Sequence, residues 1–182
     1  MKGVIFNAAQ EAVIELFDED TWDDLLDAAG LGGVYSSVGT YPDSDLVALV
    51  VAATEATGLS AEEVMIAVGR KALRHLADRV PTLLEEATCA YDMLGMIHDV
   101  IHVEVMKLYE DAQPPQFTYS DLPGGGLRMG YRSPRQLDPL AEGLVHGVGD
   151  RFGEELQVTR HPATSDGEVF IDVVSLGPIG GG

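Results

Sequence analysis

The hydrophobic pattern of this chain first changes period at Pro114-Pro115, and that change limits what the chain can fold into. Before the two prolines apolar residues recur every three or four positions, as in helices; after them short runs alternate, as in strands. The stretch just upstream, Tyr91 to Glu110, carries Met93, Met96, Ile97, Val100, Ile101, Val105 and Leu108 at helical spacing. It predicts a buried or half-buried amphipathic helix with His98 and His102 one turn apart on one face. A neutral imidazole in an apolar wall can bind a metal through one nitrogen while the other donates a hydrogen bond. A histidine so placed is also commonly a satisfied core or boundary residue, and spacing alone does not choose between the two.

Upstream, residues 2–17 predict a helix that the acidic run Asp18-Glu19-Asp20 ends, and Thr21 with Asp24 predicts a capping box for a short helix stopping near Gly30. Residues 30–42 read as a loop, and a helix runs from Asp43 to the stop at Gly58. Ser60 with Glu63 forms a clearer capping box for a helix to about Arg79, and Pro81 opens a helix over residues 82–87. Beyond the prolines, residues 117–120 and 127–131 form a hairpin around Leu122-Pro123-Gly124-Gly125-Gly126, a loose turn rather than a phosphate cradle. A helix follows over residues 137–152, then strands at about 155–159 and 168–175, and the tail from Gly177 to Gly182 is expected to be disordered. The class is α+β: helices first, then four antiparallel strands with one inserted helix.

The length of 182 residues is that of one domain large enough to close a core around a buried ligand. A net charge of -19 repels a phosphate backbone, so nucleic acid and anionic membrane surfaces are poor partners. The longest strongly apolar run, Leu46 to Ala53, is far short of the roughly 20 residues a membrane span requires. The N-terminus lacks the features of a signal peptide, which points to the cytoplasm. The single cysteine, Cys89, cannot form an internal disulfide and reads as a small buried residue at a helix junction.

After the hairpin comes Tyr131-Arg132-Ser133-Pro134-Arg135. In an extended segment Tyr131, Ser133 and Arg135 point the same way, offering a phenol, a hydroxyl and a guanidinium suited to a pair of carboxylates. An edge strand with a surface arginine has the same letters, so the motif alone is weak. Together with a histidine helix ending in Pro-Pro it is specific. The sequence resembles the haem-nitric oxide/oxygen-binding (H-NOX) family, the haem module also found in soluble guanylate cyclase. The likeness runs from the opening MKGVIFN through VGRKAL and GMIHDVIH to YRSPR and the following AEGL.

The resemblance implies a single domain over residues 1–182, with a helical distal part to about residue 62, a proximal part beyond it, and haem b between the two. It makes His102 the proximal ligand to the haem iron and Tyr131, Ser133 and Arg135 the propionate-binding trio. Pro115 matches the proline that presses on the porphyrin, and Ile5 an N-terminal contact with it. The distal pocket falls on Ala9, Ala72, Leu140 and Leu144, where oxygen-binding relatives carry a hydrogen-bonding network at the first three. Its absence implies a sensor for nitric oxide and carbon monoxide that excludes oxygen and is not itself an enzyme. The family's mechanism further implies release of the histidine, relaxation of the haem, and a signal to a separate sensor histidine kinase or cyclic-di-GMP enzyme. No zinc is expected at His161. Three rival readings are an oxygen-binding relative, a haem-free interaction module, and a zinc hydrolase using His98 and His102, with Asp99 as general base and Glu104 or another acid completing the site.

Overall fold

The computed structural model describes residues 1–109 and 111–180, and its elements follow the change of period. Helices α1 (Gly3–Leu16), α2 (Glu19–Ala29), α3 (Asp43–Thr57) and α4 (Ala61–Ala77) come first. A 3-10 turn at Pro81–Leu84 and α5 (Ala90–Met96) follow, then a π-helical turn at Ile97–Ile101 continues into α6 (His102–Leu108). The hairpin β1 (Gln116–Asp121) and β2 (Leu127–Arg132), helix α7 (Asp138–Phe152), and strands β3 (Glu154–Arg160) and β4 (Val169–Pro178) complete the chain. The sheet is antiparallel throughout in the order β1-β2-β4-β3, so the α+β class holds. Among the described residues no single helix is long and apolar enough to cross a membrane.

The chain divides into two compact units, one of residues 1–79 with 139–144 and the other of residues 80–138 with 145–182. In the first, Phe6 is fully buried and stacks on Tyr35 at a centroid distance of 4.2 Å. Helix α4, which sequence placed mostly in the proximal part, packs here against α1, with Lys71 and Arg74 both paired to Glu15. The glycines of the VGRKAL and AEGL motifs make a close helix crossing. A Cβ on Gly69 would stand 2.5 Å from the Leu140 carbonyl oxygen, and one on Gly143 would stand 2.3 Å from that of Ile66. In the second unit Leu94, Met129, Val148, Ile171 and Val173 are sealed from solvent. Burial of side chains of this size stabilises by about 1.5–3 kcal/mol each, which makes these residues the anchor of the sheet.

Several expectations are corrected. Helix α2 begins at Glu19, because Asp18 is its N-cap and accepts from the Thr21 N–H at 2.8 Å; the acidic run starts this helix instead of only ending α1. The segment after Pro81 makes one 3-10 turn and no helix to residue 87. The histidine helix ends at Leu108, before the prolines, and Leu108 is 66 % exposed rather than part of the apolar face. Glu110 lies outside the described residues. Cys89 is the half-buried residue preceding α5. The tail is ordered as far as it is described: Gly177 pairs with Glu155 in the sheet and the Ile179 N–H donates to the Gly153 carbonyl at 2.8 Å. Gly181 and Gly182 lie outside the described residues. The hairpin turn is as expected, with Gly124, Gly125 and Gly126 all at positive φ, a conformation that side chains resist.

Candidate functional site

The second unit gathers His98, His102 and Tyr131 around Phe117. The Ile97–Ile101 segment forms a π turn, in which the His102 N–H reaches five residues back to the Ile97 carbonyl. The wider turn alters the facing of His98 and His102, so the two rings take different surroundings. The Nδ1 of His98 accepts the backbone N–H of Phe117 at 3.4 Å. The ring of His102 lies against the Phe117 side chain, at a centroid distance of 5.8 Å. Its Nδ1 is buried with no hydrogen-bond partner. Burial pushes the His102 pKa down to about 4; the Pro115 carbonyl opposes that shift and His98 adds to it. The ring is therefore neutral near pH 7 and presents an unshared nitrogen in a largely apolar wall, the state a metal ligand needs.

Phe117 is paired with Tyr131 across the hairpin, their rings edge-on at 5.6 Å. Tyr131 is buried, which pushes its phenol pKa up, while a hydrogen bond with Ser133 pulls the other way. Its hydroxyl accepts the Leu137 N–H at 3.2 Å. The expected extended run through Arg135 is not present. Strand β2 ends at Arg132, and Ser133 to Gln136 form a turn closed by the Gln136 N–H on the Ser133 carbonyl at 3.3 Å. Pro134 favours that bend, and the Ser133 Oγ accepts the Arg135 N–H at 3.2 Å inside it. Arg135 donates through its guanidinium to the Gln113 carbonyl at 2.7 Å, tying the turn to the segment before Pro114-Pro115. The trio is thus assembled by a turn, not by strand alternation. Its two hydroxyls and its cation suit carboxylates.

In the first unit Ile5, Ala9, Ala72, Leu140 and Leu144 line one cavity of about 70 Å³, together with Trp22, Leu25, Leu49, Ala53 and other apolar side chains from α1 to α4. The positions that sequence grouped as a distal pocket do share a space, and its walls are hydrocarbon save for Met65 and Trp22. Outside these two places, His161 is held by Asp172 at 2.8 Å, beside the bidentate pair that Arg128 makes with the same carboxylate. Among the described residues no three His, Cys, Asp or Glu side chains gather as a metal site. Glu104 pairs with Lys107 and His98 is engaged by Phe117, so the arrangement does not support a zinc hydrolase.

The sequence model of the Haem-NO-binding family matches residues 2–160. The chain belongs to that family. H-NOX proteins are haem-binding gas sensors rather than enzymes. No curated protein matches the chain. Among solved structures, an H-NOX protein from S. oneidensis in the Fe(II)NO state is 28% identical, with a TM-score of 0.87 over 96% of this chain and 99% of that one. The Fe(II) unliganded H-NOX protein from K. algicida is also 28% identical, at a TM-score of 0.82 over 96% of each chain. The SO2144 H-NOX domain from Shewanella oneidensis in the Fe(II)CO state is 27% identical, at 0.83 over 96% of this chain and 98% of that one. H-NOX proteins thus bind nitric oxide and carbon monoxide.

Phe117, Gln113, Trp22 and the π turn were missed by sequence reasoning. The π turn alone had a signal, in the crowding of β-branched residues through Ile97, Val100, Ile101 and Val103, which are weaker α-helix formers.

Proposed function

We propose that this chain is a cytoplasmic sensor of nitric oxide and carbon monoxide that excludes oxygen, carries haem b, has no catalytic activity of its own, and signals to a separate effector. When bound, ferrous haem supplies an open axial position for a diatomic ligand. His102 is its protein ligand, for which the buried, neutral and unshared ring nitrogen is suited. Tyr131, Ser133 and Arg135 would hold the two propionates, Pro115 would press on the macrocycle and Ile5 would supply an N-terminal aliphatic contact.

The gas preference is carried by one observation: Ala9, Ala72, Leu140 and Leu144 share a cavity and bring no hydrogen-bond donor to it. Bound oxygen draws partial negative charge and is retained by a donor; nitric oxide hardly needs one. Leu140, Ala9 and Ala72 therefore discriminate by withholding an interaction. His102 would hold the iron from α6, whose exposed Val103, Met106 and Leu108 would belong to the surface offered to a sensor histidine kinase or a cyclic-di-GMP enzyme. A gas would change that surface only by binding one state of the protein more tightly than another.

The test is an absorption spectrum of the reduced protein under anaerobic conditions, then in air, then with nitric oxide. The expected sequence is a five-coordinate ferrous spectrum, no stable change in air and a large change with nitric oxide. A stable new spectrum in air would favour the oxygen-binding alternative.

A further inference from the structure

Tyr119, two residues after Phe117 on β1, has no role in the reading above. The two side chains leave the strand on the same face, and their rings lie nearly parallel at a centroid distance of 6.4 Å. The Tyr119 hydroxyl is buried and makes no hydrogen bond. In the same unit the hydroxyls of Tyr91 and Tyr131 accept the backbone N–H groups of Ser175 and Leu137. Buried hydroxyls are nearly always paired, so the exception calls for a reason.

The surroundings of the hydroxyl supply one. Strand β1 packs against the π turn at Ile97–Ile101. Burial pushes the Tyr119 phenol up to about 12, while the His98 backbone pulls it down and Asp99 adds to the rise. The His98 backbone is therefore within reach of the hydroxyl, yet no bond closes. Asp99 is exposed and would have to shed its water to compete for it. Widening one turn of an α-helix to five residues displaces the backbone ladder by one place, so groups at the ends of the turn lose their regular partners. The one bond that already ties this turn to β1, from the Phe117 N–H to the His98 Nδ1, is long at 3.4 Å and leaves room for a small sliding movement.

We propose that Tyr119 is a positioning residue for His102: its hydroxyl is a catch that closes on the His98 backbone in one setting of the π turn and stands open in another. Closing the catch draws the turn onto β1 and redirects the His102 ring, which rests against Phe117 on the same strand. The dependence of the setting on gas rests on the reading of His102 as the haem ligand; the catch itself rests on Tyr119 and the π turn.

The reduced holoprotein and its Tyr119→Phe variant, which keeps the ring and loses only the hydroxyl, are compared without gas and with nitric oxide. Hydrogen exchange is followed in the peptide spanning residues 97–101, and the iron-histidine stretching band of the gas-free protein by resonance Raman. In the wild type the exchange should differ between the two conditions by about two- to tenfold, the change one net hydrogen bond makes in an equilibrium. In Tyr119→Phe that ratio should fall close to one and the gas-free band should shift. A phenol that only fills space would leave both as in the wild type, so an equal ratio or an unmoved band in the variant overturns the proposal. So does a wild-type peptide that exchanges alike with and without gas, a result that does not depend on the variant folding. A wild-type protein with no iron-histidine band sinks the haem reading and the proposal together; a band present and identical in both proteins sinks the proposal alone.

Discussion

The backbone N–H of Phe117 donates to the Nδ1 of His98 across 3.4 Å, joining the π turn to the start of β1. His98 is thereby a brace, and His102, one turn on, keeps a ring nitrogen unshared. Removing the brace loses one long hydrogen bond, on the order of 1 kcal/mol. His98→Ala should lower Tm by about 2–4 °C and leave haem content unchanged. His102→Gly should lose haem retention or proximal ligation. Thermal melts and haem-to-protein ratios check both, and equal haem loss in the two variants would show that the wrong histidine had been chosen.

Arg135 reaches the Gln113 carbonyl from the turn after β2, whereas Arg132 turns to Asp166 at 2.6 Å. A charge-assisted hydrogen bond contributes about 1.5–3 kcal/mol, roughly 10- to 150-fold in an equilibrium. Arg135→Ala should therefore weaken haem retention by at least about tenfold, and Arg132→Ala should leave it unchanged. Haem transfer to an acceptor protein measures the difference.

Gly69 and Gly143 face backbone where any Cβ would collide. Gly143→Ala should force the first turns of α7 away from α4 at a cost of about 1–3 kcal/mol, with Gly69→Ala behaving alike. Denaturant titration gives the loss. Because both sites adjoin residues lining the cavity, gas rebinding should change along with stability.

Asp172 receives a bidentate guanidinium from Arg128 across β2 and β4 and is also paired with His161. The hydrogen bonds from Arg128 hold its carboxyl below the ordinary value of 3.8, with His161 contributing in the same direction and burial opposing. A carboxyl depressed in the fold contributes stability above its unfolded pKa and loses it as pH falls through the folded one. Asp172→Asn should thus be less stable than wild type near pH 6, and the gap should narrow as acid takes the pH through the lowered folded pKa of Asp172. Parallel melts across that range test the sign.

Sequence determined the helix-to-sheet order, the hairpin and the capping box at Ser60, because periodicity, turn residues and caps act over a few positions. It also placed Tyr131, Ser133 and Arg135 in one short motif, close enough in the chain to meet however the segment bends. It could not tell that they meet in a turn, because Ser-Pro tolerates both an extended and a bent course until Leu137 and Gln113 supply hydrogen-bond partners. Nor could spacing separate His98 from His102. That difference depends on a π turn and on Phe117, which is nineteen residues further along the chain than the ring it engages. The indole of Trp22 shows the same limit: its letter signals a large apolar core residue, and only the packing of the folded chain leaves its buried N–H without an acceptor. Which polar atoms are satisfied depends on contacts between distant segments, and those contacts exist only after the chain has folded.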